Sequence, residues 1–270
     1  MIRTIAYPRA ALVGNPSDGY NGKTISFVFS DFSAEVTLRP SHDLEIIPCN
    51  RERLQYENIN ELANEIQQHG YYGGTRLIKA AIHVFYKYCK QHHVQLHKEN
   101  FTLSYLSNIP SRLGLAGSSA IVIAALKAII QFYEIKISNA EIANIALAAE
   151  KNELHIGAGL QDRVVQAHNT PVFMNFSKHF MECQGYGEYI SFDKSLLPPL
   201  YIAYRNNLSE GSEITHNNLA ERYAQKEPEV LYAISEWIKL TEEVWNKLQK
   251  GNKNIGHLLN RNFDIRKQLI

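Results

Sequence analysis

PSRLGLAGSSA, residues 110–120, lies between FTLSYLS (101–107), whose apolar residues alternate, and AIVIAALKAIIQFY (120–133), which is apolar nearly all round. The alternation reads as a strand, and the apolar run reads as a buried helix beginning near Ser118 or Ser119. The stretch is thus a strand-to-helix connection rich in small residues. Two readings compete for it. Gly114 and Gly117 let backbone approach a ligand closely, and the following helix offers unsatisfied N–H groups and the positive end of its dipole. Those are the ingredients of an anion cradle. A plain loop closed by a serine N-cap needs the same residues. The pattern alone leaves both open.

Working outward, Ile25, Phe27 and Phe29 alternate with polar or smaller residues, and Ala34, Val36 and Leu38 repeat that period of two. EIIPC (45–49) reads as a further strand edge, ahead of the polar segment NRERLQYENINE. Leu77, Ile78, Ala81, Ile82, Phe85 and Cys89 fall on one helical face within 74–92. Ser138, with Glu141 three residues on, predicts a capping box opening a helix through IANIALAAEKNEL. HIGAGLQDR breaks that helix with two glycines, and VVQ resumes it. VFMNF (172–176) and PLYIAYR (199–205) read as strands. Residues 229–249 read as a helix stopped by Gly251, and a last amphipathic helix carries Ile255, Leu258, Leu259, Phe263 and Leu269. The result is a mixed α+β chain with a seam near residue 170.

The gross numbers narrow the class. At 270 residues the chain has room for one large domain or two ordinary ones. Apolar residues at 45% and charged residues at 20% are ordinary for a soluble globular protein. A net charge of +1 gives no reason to expect nucleic acid or membrane as partner, so any anion site is local. Cys49, Cys89 and Cys183 are far apart, without a CxxC or His/Cys cluster, which fits a reducing compartment and argues against a zinc site. The eleven histidines show no metal-ligand spacing. Neither a signal peptide nor an 18-residue apolar run is visible, and a cytoplasmic location is the expectation.

A second glycine-rich stretch, GNPSDGYNGKT (14–24), ends in Gly22-Lys23-Thr24 and imitates a Walker A loop. That motif needs glycine five positions before its second glycine, where this chain has Ser17, and it must lead into a helix, whereas ISFVF reads as a strand. A hairpin turn around Asp18-Gly19 and Asn21-Gly22 is the better reading.

Context decides the first stretch. Pro110, Gly114, Leu115, Ala116, Gly117, Ser118, Ser119 and Ala120 resemble the second signature motif of the GHMP kinase superfamily, which includes galactokinase, homoserine kinase and mevalonate kinase. PRAALVGNPSD resembles its first motif, with Arg9 and Asp18 on the basic and acidic positions. AAEKNELHIGAGLQDR supplies Glu150 and, twelve residues later, Asp162 at the positions of the family's Mg²⁺-binding glutamate and catalytic aspartate. Gly14-Asn15-Pro16 replaces the Gly-Glu-His of galactokinase-like members. GNPSDGYNGKTIS, GYYGGTRL, AGLQDRVVQ and SLLPPLYIAY are similar to the branch that phosphorylates D-glucuronate at its anomeric position.

The resemblance implies a two-domain GHMP kinase fold: residues 1–170 as a ribosomal-protein-like α/β domain with a left-handed βαβ unit, and 171–270 as a ferredoxin-like sandwich. It implies ATP as co-substrate, Mg²⁺ held by Ser119 and Glu150, and phosphates held by residues 114–120. Asp162 takes or orients the acceptor proton, Arg9 neutralises charge beside it, and Asp18 binds sugar hydroxyls. A uronate carboxylate calls for a cation, and Lys23, Arg76, Arg163 and Arg205 are unranked candidates, Arg163 attractive beside Asp162. Tyr71 and Tyr72 stack on a ligand or pack in the core. The alternatives are a kinase for another sugar, such as a heptose or another uronic acid, and a GHMP fold that binds without transferring phosphate. The family's third, glycine-rich motif is not found, so the C-terminal domain is expected to be incomplete, leaving an open sheet edge and an uncovered helix face. Oligomeric state is not legible.

Overall fold

The computed structural model describes residues 1–49, 52, 73–111, 113–204 and 219–269. Arg205, Arg112, Tyr71, Tyr72 and most of the polar segment after Cys49 lie outside the described residues. The fold is mixed α+β, built on two four-stranded sheets.

The first sheet has the order β1 (Ile2–Ala6), β4 (Ala34–Ser41), β6 (Asn100–Ser107), β5 (Glu45–Ile47). Its pairs are antiparallel except β5 with β6, which run parallel and are joined through α1 (Gly74–Gln91). The alternation seen in the sequence fits the register: Ala34, Val36 and Leu38 are buried, with Val36 opposite Tyr105 and Leu38 opposite Leu103 of β6. On that face lies α2 (Gly117–Phe132). Twelve of its residues are buried, as the unbroken apolar run predicts. Burying each large aliphatic side chain, such as Ile123, Leu126 or Ile129, stabilises the fold by roughly 1.5–3 kcal/mol.

The second sheet is antiparallel throughout, β2 (Arg9–Val13), β3 (Lys23–Val28), β7 (Val172–Asn175), β8 (Glu188–Ser191). Residues on either side of position 170 therefore build one hydrogen-bonded sheet, and the expected seam falls inside it. The sheet feeds two cores. Val172 and Met174 point into the large core around α1 and α2, while Phe173 and Ile25 point into a smaller one with Leu240, Val244 and Leu248 of α6 (Pro228–Gln249).

Local chemistry sets the remaining helices. Ser138 and Glu141 form the expected capping box, and Glu141 also accepts from the Tyr88 hydroxyl (2.8 Å), which ties α3 (Asn139–Ala148) to α1. The helix passes into a π-helical turn, Ala149–Glu153, for which the sequence carries no signal. α4 (Leu160–His168) starts at Leu160, with Gly159 as N-cap. Asp162 is therefore in the first turn of a helix and not, as expected, in the glycine-containing loop before it. The helix dipole favours a carboxylate there, which is why QDR joins VVQ in one helix.

A second difference lies at 199–204, expected to be part of a strand. These residues are in no strand, and Tyr201 is 96% exposed. Alternation is half of what a strand requires; the other half is a ladder partner, and no described strand pairs with this segment. α5 (Lys178–Gln184), between β7 and β8, was not expected from the sequence. α7 (Gly256–Leu269) follows α6 and packs against it. Among the described residues no helix is long and apolar enough to cross a membrane.

Candidate active site

Three chain segments meet at the start of α4. The first is β2 with the turn after it. Gly14 has φ +89°, and a Cβ there would collide with the Lys23 carbonyl and the Thr241 hydroxyl, so the turn needs glycine on both grounds. The chain then forms a 3₁₀ helix, Ser17–Tyr20, that carries Asp18. The second segment is the 113–117 connection, and the third is the π-helical turn with α4.

Arg9 begins β2, and its Nε forms a short ion pair with Asp162 Oδ1. Its Nη1 lies 3.5 Å from the Gly114 carbonyl, and its backbone N–H donates to the Leu115 carbonyl (3.2 Å). One arginine thus joins Asp162 to the glycine-rich loop. Burial pulls the Arg9 guanidinium down, but the charge and hydrogen bond of Asp162 outweigh it and hold it above its usual value.

Asp18 approaches the N-terminus of α4 closely: a Cβ on Gly159 would stand 2.8 Å from its Oδ2. Burial first, then the charge of Asp162, push the Asp18 carboxyl up to about 7, against the pull of Arg9 and Arg163. Near neutral pH Asp18 therefore exists in both protonation states.

Glu150 and Arg163 form a buried pair, 0% and 4% exposed. Arg163 Nε donates to Glu150 Oε2 (2.8 Å), and Nη2 donates to the same oxygen. Nη1 donates to the Gly159 carbonyl (2.8 Å) and lies 3.5 Å from Asp162 Oδ2. Glu150 Oε1 is buried with no hydrogen-bond partner. Among the described residues no cluster of three or more His, Cys, Asp or Glu forms a cage for a metal ion. Mg²⁺, however, takes few protein ligands and completes its octahedron with water and phosphate oxygens, so one unsatisfied carboxylate oxygen fits its chemistry.

The glycine-rich loop ends at Ala116, which sits in the left-handed region (φ 58°) and turns the chain into α2. No side chain caps that helix, and its first intrahelical bond runs from the Ala120 N–H to the Ala116 carbonyl (3.1 Å). The N–H groups of residues 117–119 stay outside the helical ladder, free for an anion. Ser119 is buried and donates to the Ala116 carbonyl (3.0 Å), whereas Ser118 is half-buried.

Comparisons with known proteins give the family. The family described as GHMP kinases N terminal domain matches residues 76–169. Glucuronokinase 1 of Arabidopsis thaliana is 42% identical over 268 residues, 98% of this chain and 74% of the relative. The chain belongs to the GHMP kinase family. Solved structures agree on the fold. The Methanococcus jannaschii mevalonate kinase matches 99% of this chain and 79% of its own at TM-score 0.64 and 18% identity. The Streptococcus pneumoniae phosphomevalonate kinase matches 100% and 80% at TM-score 0.71 and 12% identity.

In this GHMP kinase, Arg9, Asp18, Glu150, Asp162 and Arg163 share one neighbourhood, bordered by the loop that leads to Ser118 and Ser119. Two of the expected carboxylate binders are engaged elsewhere. Lys23 forms a short ion pair with Glu242 of α6. Arg163 is enclosed and committed to Glu150, Gly159 and Asp162, so it supports the carboxylates instead of facing a ligand. Arg76 is exposed in the first turn of α1.

The sequence reading missed Gln166, which is fully buried and donates from Nε2 to the Tyr7 (3.0 Å) and Ala116 (2.9 Å) carbonyls, clasping the loop to the connection between β1 and β2. It also missed Gln161, which donates to Ser26 Oγ (2.7 Å) and accepts from Asn15 Nδ2 (3.3 Å). For Gln166 the available signal was a polar residue directly after the apolar pair Val164-Val165; Gln161, two residues before Arg163, carried none. Nothing in the sequence linked α7 to the site, yet Asn262 Oδ1 accepts the Gly14 N–H (3.0 Å), and Arg266 Nη1 donates to Asn15 Oδ1 (2.8 Å).

Proposed function

We propose that this GHMP kinase transfers the γ-phosphoryl group of ATP to a hydroxyl of a sugar acid, with D-glucuronate as acceptor and glucuronate 1-phosphate and ADP as products. The observation that carries the reading is the Arg9–Asp162 ion pair at the edge of the 113–117 loop. The 42% identity with Glucuronokinase 1 over nearly the whole chain supports the choice of acceptor.

Phosphoryl transfer needs the phosphates held in line, their charge neutralised, and an acceptor oxygen that sheds its proton. Residues 114–120 hold the β- and γ-phosphates on loop backbone and on the free N–H groups of 117–119. Glu150 Oε1 and Ser119 would hold Mg²⁺, which when bound would neutralise phosphate charge. Asp162 orients the acceptor hydroxyl and receives its proton as the new P–O bond forms and the bond to ADP breaks. An anomeric hydroxyl is more acidic than an ordinary alcohol, which suits a carboxylate base. Arg9 keeps Asp162 ionised and meets the charge that develops on the transferring group. Asp18, adjoining Gly159, hydrogen-bonds sugar hydroxyls. Arg163 is reassigned from substrate binding to holding Glu150 and Asp162 in place.

The test is ADP release by the purified chain with ATP, Mg²⁺ and glucuronate, galacturonate, glucose or galactose. Glucuronate-dependent release is expected, and Asp162→Asn should lower it about 10²- to 10⁴-fold, the usual contribution of a positioned base. Turnover with a neutral sugar alone would move the acceptor elsewhere in the family. ATP binding without turnover on any acceptor would make the chain a non-catalytic member.

A further inference from the structure

A sugar acid presents a carboxylate, and among the described residues three cations around the site are already committed. Arg9 is paired with Asp162, Arg163 with Glu150, and Lys23 with Glu242. Arg266, in the last turn of α7, is different. Its guanidinium donates to Asn15 Oδ1 (2.8 Å), a neutral amide, and among the described residues it pairs with no carboxylate.

Its position is fixed from behind. Leu258 of α7 is buried in the smaller core, Asn262 accepts from Gly14 N–H (3.0 Å), and the Trp237 indole donates to the Asn262 carbonyl (3.3 Å). The Asn15 amide in turn donates to Gln161 Oε1 (3.3 Å), the residue before Asp162. Arg266 is thus two hydrogen bonds from the residue beside Asp162 and is tied to the turn that carries Asp18. We infer that Arg266 recognises the carboxylate of the acceptor sugar acid, reaching from α7 across the Gly14–Asp18 turn. The inference rests on the uronate reading above.

Charge supports the assignment. Burial around the guanidinium and the like charge of Arg9 both push Arg266 below the usual arginine value. Two cations that sense each other, one of them without an acid, attract an anion. A planar fork that binds a carboxylate through two parallel N–H groups also fixes the sugar's orientation.

The experiment compares glucuronate with glucuronamide, its neutral analogue, as acceptors for the wild-type chain and for Arg266→Gln. The expected result is that wild type prefers glucuronate, and that Arg266→Gln lowers the ratio of kcat/KM values about 10- to 100-fold, mainly through the KM for glucuronate. A ratio unchanged in Arg266→Gln overturns the inference while leaving the uronate reading intact. Wild-type turnover of neutral sugars with no use of glucuronate overturns the uronate reading, and the inference with it. Arg266 bonds the Asn15 side chain and belongs to none of the hydrophobic cores, so the fold should survive. If the glutamine variant melts early, Arg266→Lys carries the same test, because it keeps the charge but loses the fork.

Discussion

Asp18 and the Glu150–Arg163 pair show how much of this site is electrostatic strain held by packing. The Asp18 carboxyl titrates near 7 in the fold and near 3.8 in an unfolded chain. The folded state therefore binds the proton more tightly. That stabilisation is complete below about pH 4 and is lost as pH rises toward 7 and beyond. Asp18→Asn removes the penalty, so its melting temperature should exceed that of wild type at pH 8, with the gain shrinking toward pH 5. At this chain length each kcal/mol corresponds to about 2–4 °C. Equal effects at the two pH values would show that the carboxylate repulsion is not felt. The buried pair behaves in the opposite sense. Arg163→Met leaves Glu150 charged and enclosed, and the loss in urea denaturation should be about 3–5 kcal/mol. The double variant with Glu150→Gln should recover much of that loss, because no lone charge remains. Recovery of stability without recovery of turnover is the signature of a charge kept for chemistry.

Two helix starts illustrate opposite solutions to the same problem. α3 closes its first turn with its own side chains, Ser138 and Glu141, and Ser138→Ala should cost about 1 kcal/mol in chemical denaturation. α2 leaves its first turn open and places Ala116 in the left-handed region, a conformation that costs a residue with a Cβ about 1 kcal/mol. Ala116→Gly is expected to stabilise the chain by about that much; a loss would mean that the Cβ packs usefully in the loop. The open helix start is where an anion is expected, so the strain and the binding capacity belong to the same element. The capping box and the apolar run of α2 were legible from residue types alone. The π-helical turn that carries Glu150 was not, because it follows from how α3 and α4 pack and has no local signature. The start of α4 was placed too late because two glycines suggested a longer break than the helix makes.

The second sheet joins the two cores, one on each of its faces, and that arrangement sets how the chain should unfold. Both tryptophans lie on α6, Trp245 packed against the smaller core and Trp237 in a separate cluster with Leu219, Val230, Ala233 and Ile234, so fluorescence reports on the surroundings of α6 and not on the large core. Far-ultraviolet circular dichroism is dominated by the helices of both. Because β3 and β7 contribute to both faces, the two urea transitions should coincide. A fluorescence transition at lower urea would mean that the α6–α7 layer separates first. Trp237 is fully buried and holds α7 through Asn262. Trp237→Ala should therefore cost about 3–5 kcal/mol and displace Asn262 and Arg266 from the Gly14–Asn15 turn. Turnover should then fall by more than the fraction unfolded predicts.

The strands with clean alternation and the buried helix after the glycine-rich loop were readable in the linear order, because residue type at short spacing sets them through sterics and hydrogen bonding along the chain. The family was readable as a resemblance of motifs, and Arg9, Asp18, Glu150 and Asp162 were singled out by that resemblance and not by local physics. Which charges are free and which are committed was not readable. Lys23 meets Glu242, Arg163 turns to Glu150, and Arg266 reaches Asn15 across separations of 219, 13 and 251 positions. Two of these three partnerships join segments more than two hundred residues apart, and none has a local signature. They exist because α6 and α7 dock on the second sheet and a π-helical turn precedes α4, and docking is settled by the packing of whole faces.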